Sequence, residues 1–298
     1  MRILITGSSG FVGSVLIPAL EQAGHTVFRL VRSTEQTSEH NIFWNPSAYR
    51  IERAKLPGFD AVIHLAGENI AGRWTETKKE GIRASRVDAT RFLCNTLIHL
   101  PAPPRVFISA SATGYYGNRG DEILDESSTP GDDYLADVCR AWEEGAQPIH
   151  DAGVRTVHLR IGLVLSPDGG ALKRMLVPFR LGLGGIIGDG RQYISWVTLD
   201  DLVGVIRFVL DREDLSGPFN AVAPHPVTNT EFTRALGRVL HRPTFLPVPA
   251  FAIRRLLGEM GEALLLGSAC VYPRKLEEAG YGFLYPDIET ALKMILQR

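Results

Sequence analysis

Long apolar runs are missing from this 298-residue sequence: none approaches roughly 18 uninterrupted apolar residues, so no membrane span is expected. Cysteine is scarce. Cys94, Cys139 and Cys270 are widely spaced, form no CxxC pair and join no histidine cluster, which argues against a disulfide framework or a metal site. The eight histidines show no HxxxH or comparable ligand spacing, so no metal is expected. Neither sign of charge dominates. The formal net charge of −1 gives no electrostatic reason to expect nucleic acid or an anionic membrane as partner. Basic clusters are short, and Lys78-Lys79 and Arg254-Arg255 read as solvated faces. Met1-Arg2 leads into Ile3-Leu4-Ile5, too short for a signal segment, so a reducing cytoplasm is the expected location. Fixed-period repeats and low-complexity tracts are also lacking.

What is present is an ordinary globular composition, 45% hydrophobic and 22% charged, with a strong alternation of element types. Short apolar runs at 2–6, 26–31, 60–65, 106–109 and 154–160 read as strands. Helical spacing covers 11–23, 75–100 and 132–152. Fully apolar strands alternating with helices imply an α/β fold with a doubly wound parallel Rossmann sheet covered on both faces. After Arg160 the character changes. The segment 162–190 is glycine-rich, Thr198-Leu-Asp-Asp201 matches a capping box, and beyond Asn229 the chain reads as mostly helical. The expected division is a dinucleotide-binding domain over 1–165, its sheet completed by parts of 195–225, and a smaller, partly interleaved substrate lobe over 166–298.

Thr6-Gly-Ser-Ser-Gly-Phe-Val-Gly13 places Gly7, Gly10 and Gly13 at three-residue intervals between a strand and a helix. Such a turn brings backbone close to a pyrophosphate and presents helix N-terminal N–H groups to it. Gly7, Ser9, Gly10, Phe11, Val12 and Gly13 are therefore candidate cofactor contacts. An NAD site carries an acidic residue at the end of the second strand, where this chain has Val31 followed by Arg32. A guanidinium there suits a 2′-phosphate, so NADP is expected as cofactor over NAD.

These residues resemble the short-chain dehydrogenase/reductase superfamily of extended type, which includes sugar-nucleotide epimerases and dehydratases. The likeness continues through His64-Leu-Ala-Gly67, Ser109-Ala-Ser-Ala-Thr-Gly-Tyr-Tyr-Gly117, Leu159-Arg-Ile-Gly162 and Gly188-Asp-Gly190. Ala66-Gly-Glu-Asn-Ile70 with Arg73-Trp74, and Pro178-Phe-Arg-Leu-Gly-Leu-Gly-Gly185, are similar to the atypical 39U-type, epimerase-like subgroup. The resemblance adds Leu65, Ala66, Gly67, Arg86 and Ser109 to the candidate cofactor contacts. It also implies a small-molecule substrate; a homodimer is compatible with it.

Members of that superfamily use a serine with a Tyr-x-x-x-Lys pair, whose lysine lowers the phenol pKa so that tyrosine works as acid or base. Ser111 fits the serine position. Four residues after Tyr134 stands Val138, and if Leu135 fills the tyrosine slot, Cys139 fills the lysine slot. The lysine is missing in either register, and Arg140 falls on another helix face. Ser111, Tyr134 and Tyr116 are the catalytic candidates, with Tyr115 the alternative in the tyrosine pair and Glu68 a candidate base. Each has a plainer alternative: a strand-end serine bonded to backbone, aromatics packing the core, a solvated carboxylate. Two functions follow. One is an NADP-dependent, epimerase-like oxidoreductase acting on a hydroxyl or carbonyl. The other is a non-catalytic NADP-binding regulator. Replacing Arg32 by Asp is expected to weaken NADPH binding far more than NADH binding. Titration of both cofactors checks this, and equal losses would sink the assignment to the 2′-phosphate.

Overall fold

The computed structural model describes residues 1–56 and 58–297. Its centre is an eight-stranded sheet. In spatial order the strands are Gly217–Ala221, Arg155–Ile161, Val106–Ala112, Ala61–His64, Arg2–Thr6, Thr26–Val31, Asn41–Asn45 and Arg50–Ile51. All neighbours run parallel except the last pair. The order reverses beside Arg2–Thr6, and the crevice at such a reversal is where ligands enter an open α/β sheet. Ile3, Leu4, Ile5, Ala61, Val62 and Ile63 are fully buried because helices cover both faces. Leu16, Ile17 and Leu20 of helix Gly13–Gln22 and Leu202, Val205 and Ile206 of helix Leu199–Asp211 pack one face. Leu93, Cys94 and Leu97 of helix Val87–Leu97 pack the other.

Two expected helices are each divided. The span 75–100 forms Glu76–Ala84 and Val87–Leu97, broken at Ser85 and Arg86. The Ser85 hydroxyl donates to the Ile82 carbonyl and accepts from the Glu68 N–H, so it competes with the helix ladder. The span 132–152 forms Tyr134–Glu144 and Gln147–Asp151, with Pro148 in the first turn of the second helix, where its missing N–H costs nothing. Strand Asn41–Asn45 was not expected. Its alternation is short, although Ile42 and Trp44 bury one face against Phe28 and Leu30.

The second lobe has its own core. Leu172, Leu176 and Phe179 of helix Gly170–Arg180 meet Phe232 and Leu236 of helix Asn229–Leu240 and Ile288 and Leu292 of helix Ile288–Leu296. Asp201 joins this lobe to the sheet. Thr198 caps the helix by accepting from the Asp201 N–H at 3.0 Å, but the carboxylate does not return to the cap backbone. Its oxygens instead accept from Thr198 Oγ1 and from the N–H groups of Leu284 at 2.7 Å and Tyr285 at 3.1 Å. Gly204 admits the Tyr281 hydroxyl, which a Cβ would meet at 2.3 Å, and that hydroxyl donates to the Asp201 carbonyl. Asp201→Ala should strand two backbone donors and cost about 2–4 kcal/mol. Denaturant unfolding measures this, and a loss below about 0.5 kcal/mol would show that the tail docks without Asp201.

Candidate functional site

The glycine turn is built by backbone contact. Gly7 has φ +70°, and a Cβ there would lie 2.8 Å from the Leu65 carbonyl carbon. At Gly13 a Cβ would lie 2.3 Å from the Gly7 carbonyl oxygen, so the helix starts hard against the turn. The Gly10 N–H donates to the Gly7 carbonyl at 2.9 Å and closes the loop. Among the described residues no hydrogen-bond acceptor meets the N–H groups of Phe11 and Val12, which immediately precede the helix. Those donors and the helix dipole have the chemistry that suits a phosphate. Ser9 is exposed at the turn, while Phe11 packs on Gly169 and Gly170, where a Cβ at Gly169 would lie 2.4 Å from its ring. Arg32 is exposed past the end of Thr26–Val31 and makes no ion pair among the described residues. The donor set fits a dinucleotide carrying an extra phosphate.

A buried chain of hydrogen bonds underlies this crevice. Thr6 Oγ1 accepts from the N–H groups of Leu65 at 3.1 Å and Ala66 at 3.0 Å. Both lone pairs are then occupied, so its proton goes to His64 Nδ1 at 2.7 Å. The proton of His64 therefore sits on Nε2 and is donated to Thr90 Oγ1 at 2.9 Å. Burial pulls the His64 pKa down to about 4, which keeps the ring neutral. Ser109, opposite His64 in the sheet, is fully buried and donates to the Ala110 carbonyl. Beyond Ala66, Gly67 lies over the Arg86 guanidinium, and a Cβ added at Gly67 would stand 3.3 Å from Arg86 Cζ. Arg86 donates to the carbonyls of Glu68 and Ile82 and stacks on the Trp142 ring, so it grips the loop. Glu68 is paired with Lys78.

Ser111 and Tyr116 belong to one buried network. The Ser111 hydroxyl donates to Glu143 Oε1 at 2.7 Å, and Arg160 holds both oxygens of Glu143 at 2.9 Å each. Arg160 Nη1 donates to the Tyr116 hydroxyl at 3.0 Å, which donates to Asn220 Oδ1 at 2.7 Å. Tyr116 is fully buried, and burial pushes its pKa up to about 12. Tyr115 differs. It is half-buried, the Arg160 guanidinium lies 3.4 Å from its ring centroid, and its hydroxyl has no partner among the described residues. Its place is the carboxyl edge of the sheet, just past Val106–Ala112.

Helix Tyr134–Glu144 turns Leu135 and Cys139 toward this tip, where both approach Gly114. With Glu143 they stand at i, i+4 and i+8 on one face. Burial, helped by Glu143, pushes the Cys139 pKa up to about 12, so the thiol stays protonated. Tyr134 points elsewhere: its hydroxyl donates to the Lys79 carbonyl at 2.7 Å, and its ring packs on Trp74. Trp74, Ile82, Val138 and Met260 form an apolar cluster there, and Lys79 pairs with Glu259 across the lobes. Of the catalytic candidates, Ser111 and Tyr116 come together and Tyr134 does not join them.

Comparison with known proteins gives the family. The model of the NAD dependent epimerase/dehydratase family matches residues 3–222. The chain belongs to that family. Residues 248–295 match a domain of unknown function, DUF1731. An epimerase family protein of Mycobacterium bovis is 43% identical over 292 residues, covering 97% of this chain and 96% of the relative. The human epimerase family protein SDR39U1, crystallised with NADPH, superposes with a TM-score of 0.91 at 34% identity, covering 100% of this chain and 99% of that one. A UDP-glucose 4-epimerase from Thermotoga maritima, at 18% identity and TM-score 0.76, shares the fold; the match covers 100% of this chain and 98% of that one.

Against the superfamily's Tyr-x-x-x-Lys pattern, this family member carries Leu135 and Cys139 on the helix face that meets the serine strand's tip. Glu143 and Arg160 were not singled out from the sequence as partners. The signal was available: Arg160 alternates with Val157 and Leu159 on a strand whose other face is apolar, and a buried arginine requires a carboxylate.

His64 makes stability depend on pH. Its folded pKa lies below the unfolded value near 6.5, so the unfolded chain takes up the proton first as pH falls. Stability from this group is complete above about pH 6.5 and is lost toward about pH 4, by up to about 3 kcal/mol. In the H64Q variant the slope of unfolding free energy across that pH window should flatten relative to the unsubstituted protein. An unchanged slope would remove His64 from this role.

Proposed function

We propose that the protein is an NADP(H)-dependent oxidoreductase acting on a small hydroxyl or carbonyl compound. The observation that carries this is the glycine turn, with Phe11 and Val12 N–H groups and an exposed Arg32 beyond the second strand that have no partner among the described residues. NADPH bound to the human relative supports the same cofactor here. Gly7, Gly10 and Gly13 would admit the pyrophosphate, Arg32 would hold the 2′-phosphate, and Leu65, Ala66 and Gly67 would line the adenosine side. The bound nicotinamide would supply the hydride.

In this reading the proton is handled by Tyr115, whose hydroxyl alone among Tyr115, Tyr116 and Tyr134 has no partner among the described residues. The Arg160 guanidinium stacked on its ring fixes the ring's position at the sheet edge. Ser111, Glu143 and Tyr116 position Arg160. A second reading, a non-catalytic NADP-binding regulator, draws on Leu135 and Cys139, which offer no proton relay.

A panel of carbonyl and sugar-nucleotide substrates, followed by NADPH oxidation, separates the two. Tyr115→Phe should lower turnover by about 100-fold or more with NADPH affinity unchanged. Full activity in that variant would remove Tyr115, and an inert protein that binds NADPH tightly would favour the regulator.

A further inference from the structure

The two segments 169–188 and 232–258 contain no aspartate or glutamate. The first carries Lys173, Arg174 and Arg180; the second carries Arg234, Arg238, Arg242, Arg254 and Arg255. On a chain of net charge −1, such a basic block leaves the remainder acidic and the molecule electrically polar. The fold brings the two segments together. Arg242 Nε donates to the Arg180 carbonyl at 2.8 Å, Gly185 bridges to Phe245, and the Gly188 N–H donates to the Val248 carbonyl at 2.9 Å. Arg234, Arg238, His241 and Arg242 border a recess of about 480 Å³ beside that junction. Two of the arginines are neutralised, Arg238 by Glu289 and Arg254 by Glu262. Arg174, Arg180, Arg234 and Arg255 make no ion pair among the described residues.

The same segments hold half of the exposed large apolar side chains among the described residues. Val177 is 63% exposed, Leu181 69%, Leu183 56% and Phe245 75%. Helix Gly170–Arg180 explains part of this. Its inner face is Leu172, Leu176 and Phe179, so Lys173, Arg174, Val177, Arg180 and Leu181 share the outer side. Helix Ala250–Leu257 adds exposed Phe251, Arg255 and Leu256 next along the chain.

We infer that this face of the second lobe docks on an anionic lipid surface. Protruding leucines and two phenylalanines, among arginines with no ion pair in the described residues, suit an interface where apolar groups enter the acyl boundary and cations meet lipid phosphates. The aliphatic members give a nucleic acid nothing to stack on. A second copy placed by a two-fold axis would set arginines against arginines. The inference stands apart from the cofactor and the reaction.

Cosedimentation with vesicles tests it, comparing pure phosphatidylcholine with phosphatidylcholine containing about 30% phosphatidylglycerol. Binding to the anionic vesicles alone, weakened by high salt, is expected. Each cation removed near the surface should lower the partition coefficient about fivefold, so R174Q/R180Q should lose on the order of 25-fold. Phe245→Ser should also weaken binding, with thermal unfolding of both variants unchanged. Equal binding to the two vesicle types, binding to neither, or a dimer in sedimentation that Phe245→Ser dissociates would each overturn the assignment.

Discussion

Arg160 enters the interior on a strand flanked by others on both sides, and its charge there has to be matched. Glu143 matches it with two oxygens from a helix packed on the same face. Removing either partner from such a pair leaves an uncompensated buried charge, at about 3–5 kcal/mol. The pair also uses its remaining valences. Ser111 donates to Glu143, Arg160 donates to Tyr116, and Tyr116 reaches Asn220 on the outermost strand. Three neighbouring strand ends are thereby held in one register, and the guanidinium face is left against the Tyr115 ring.

The crevice on the other side of Ala61–His64 rests on shape more than charge. Gly7 and Gly13 let the turn, the helix start and the Leu65 carbonyl approach closer than any side chain would allow. Thr6 and His64 then fix the loop over 65–66 through a chain in which each donor has one acceptor. Arg86 performs the corresponding task for Gly67 and Glu68. A turn so braced is preorganised.

The second lobe is held by Asp201, whose carboxylate takes two N–H groups from the 284–285 backbone. Elsewhere that lobe touches the segment 74–79 through Met260 with Trp74 and Glu259 with Lys79.

Much of this was legible in the residue order. Apolar runs such as 3–5 and 61–63 marked buried parallel strands because period and burial are local properties. The glycine spacing announced a tight turn against a helix start, since backbone geometry depends on side-chain size at each position. The break at Ser85 was hidden because a serine back-bond competes with the helix only once Glu68 is near. Which register the Tyr134 helix presents was also undecidable, because a rotation of one residue exchanges its faces. Tertiary packing alone set Leu135, Cys139 and Glu143 toward the sheet, joined Ser111 to Arg160 through Glu143, and left the Tyr115 hydroxyl without a partner among the described residues. It alone gathered arginines from 169–188 and 232–258 onto one surface. Summed along the chain, their charge cancels, and only distance in space shows that it is concentrated.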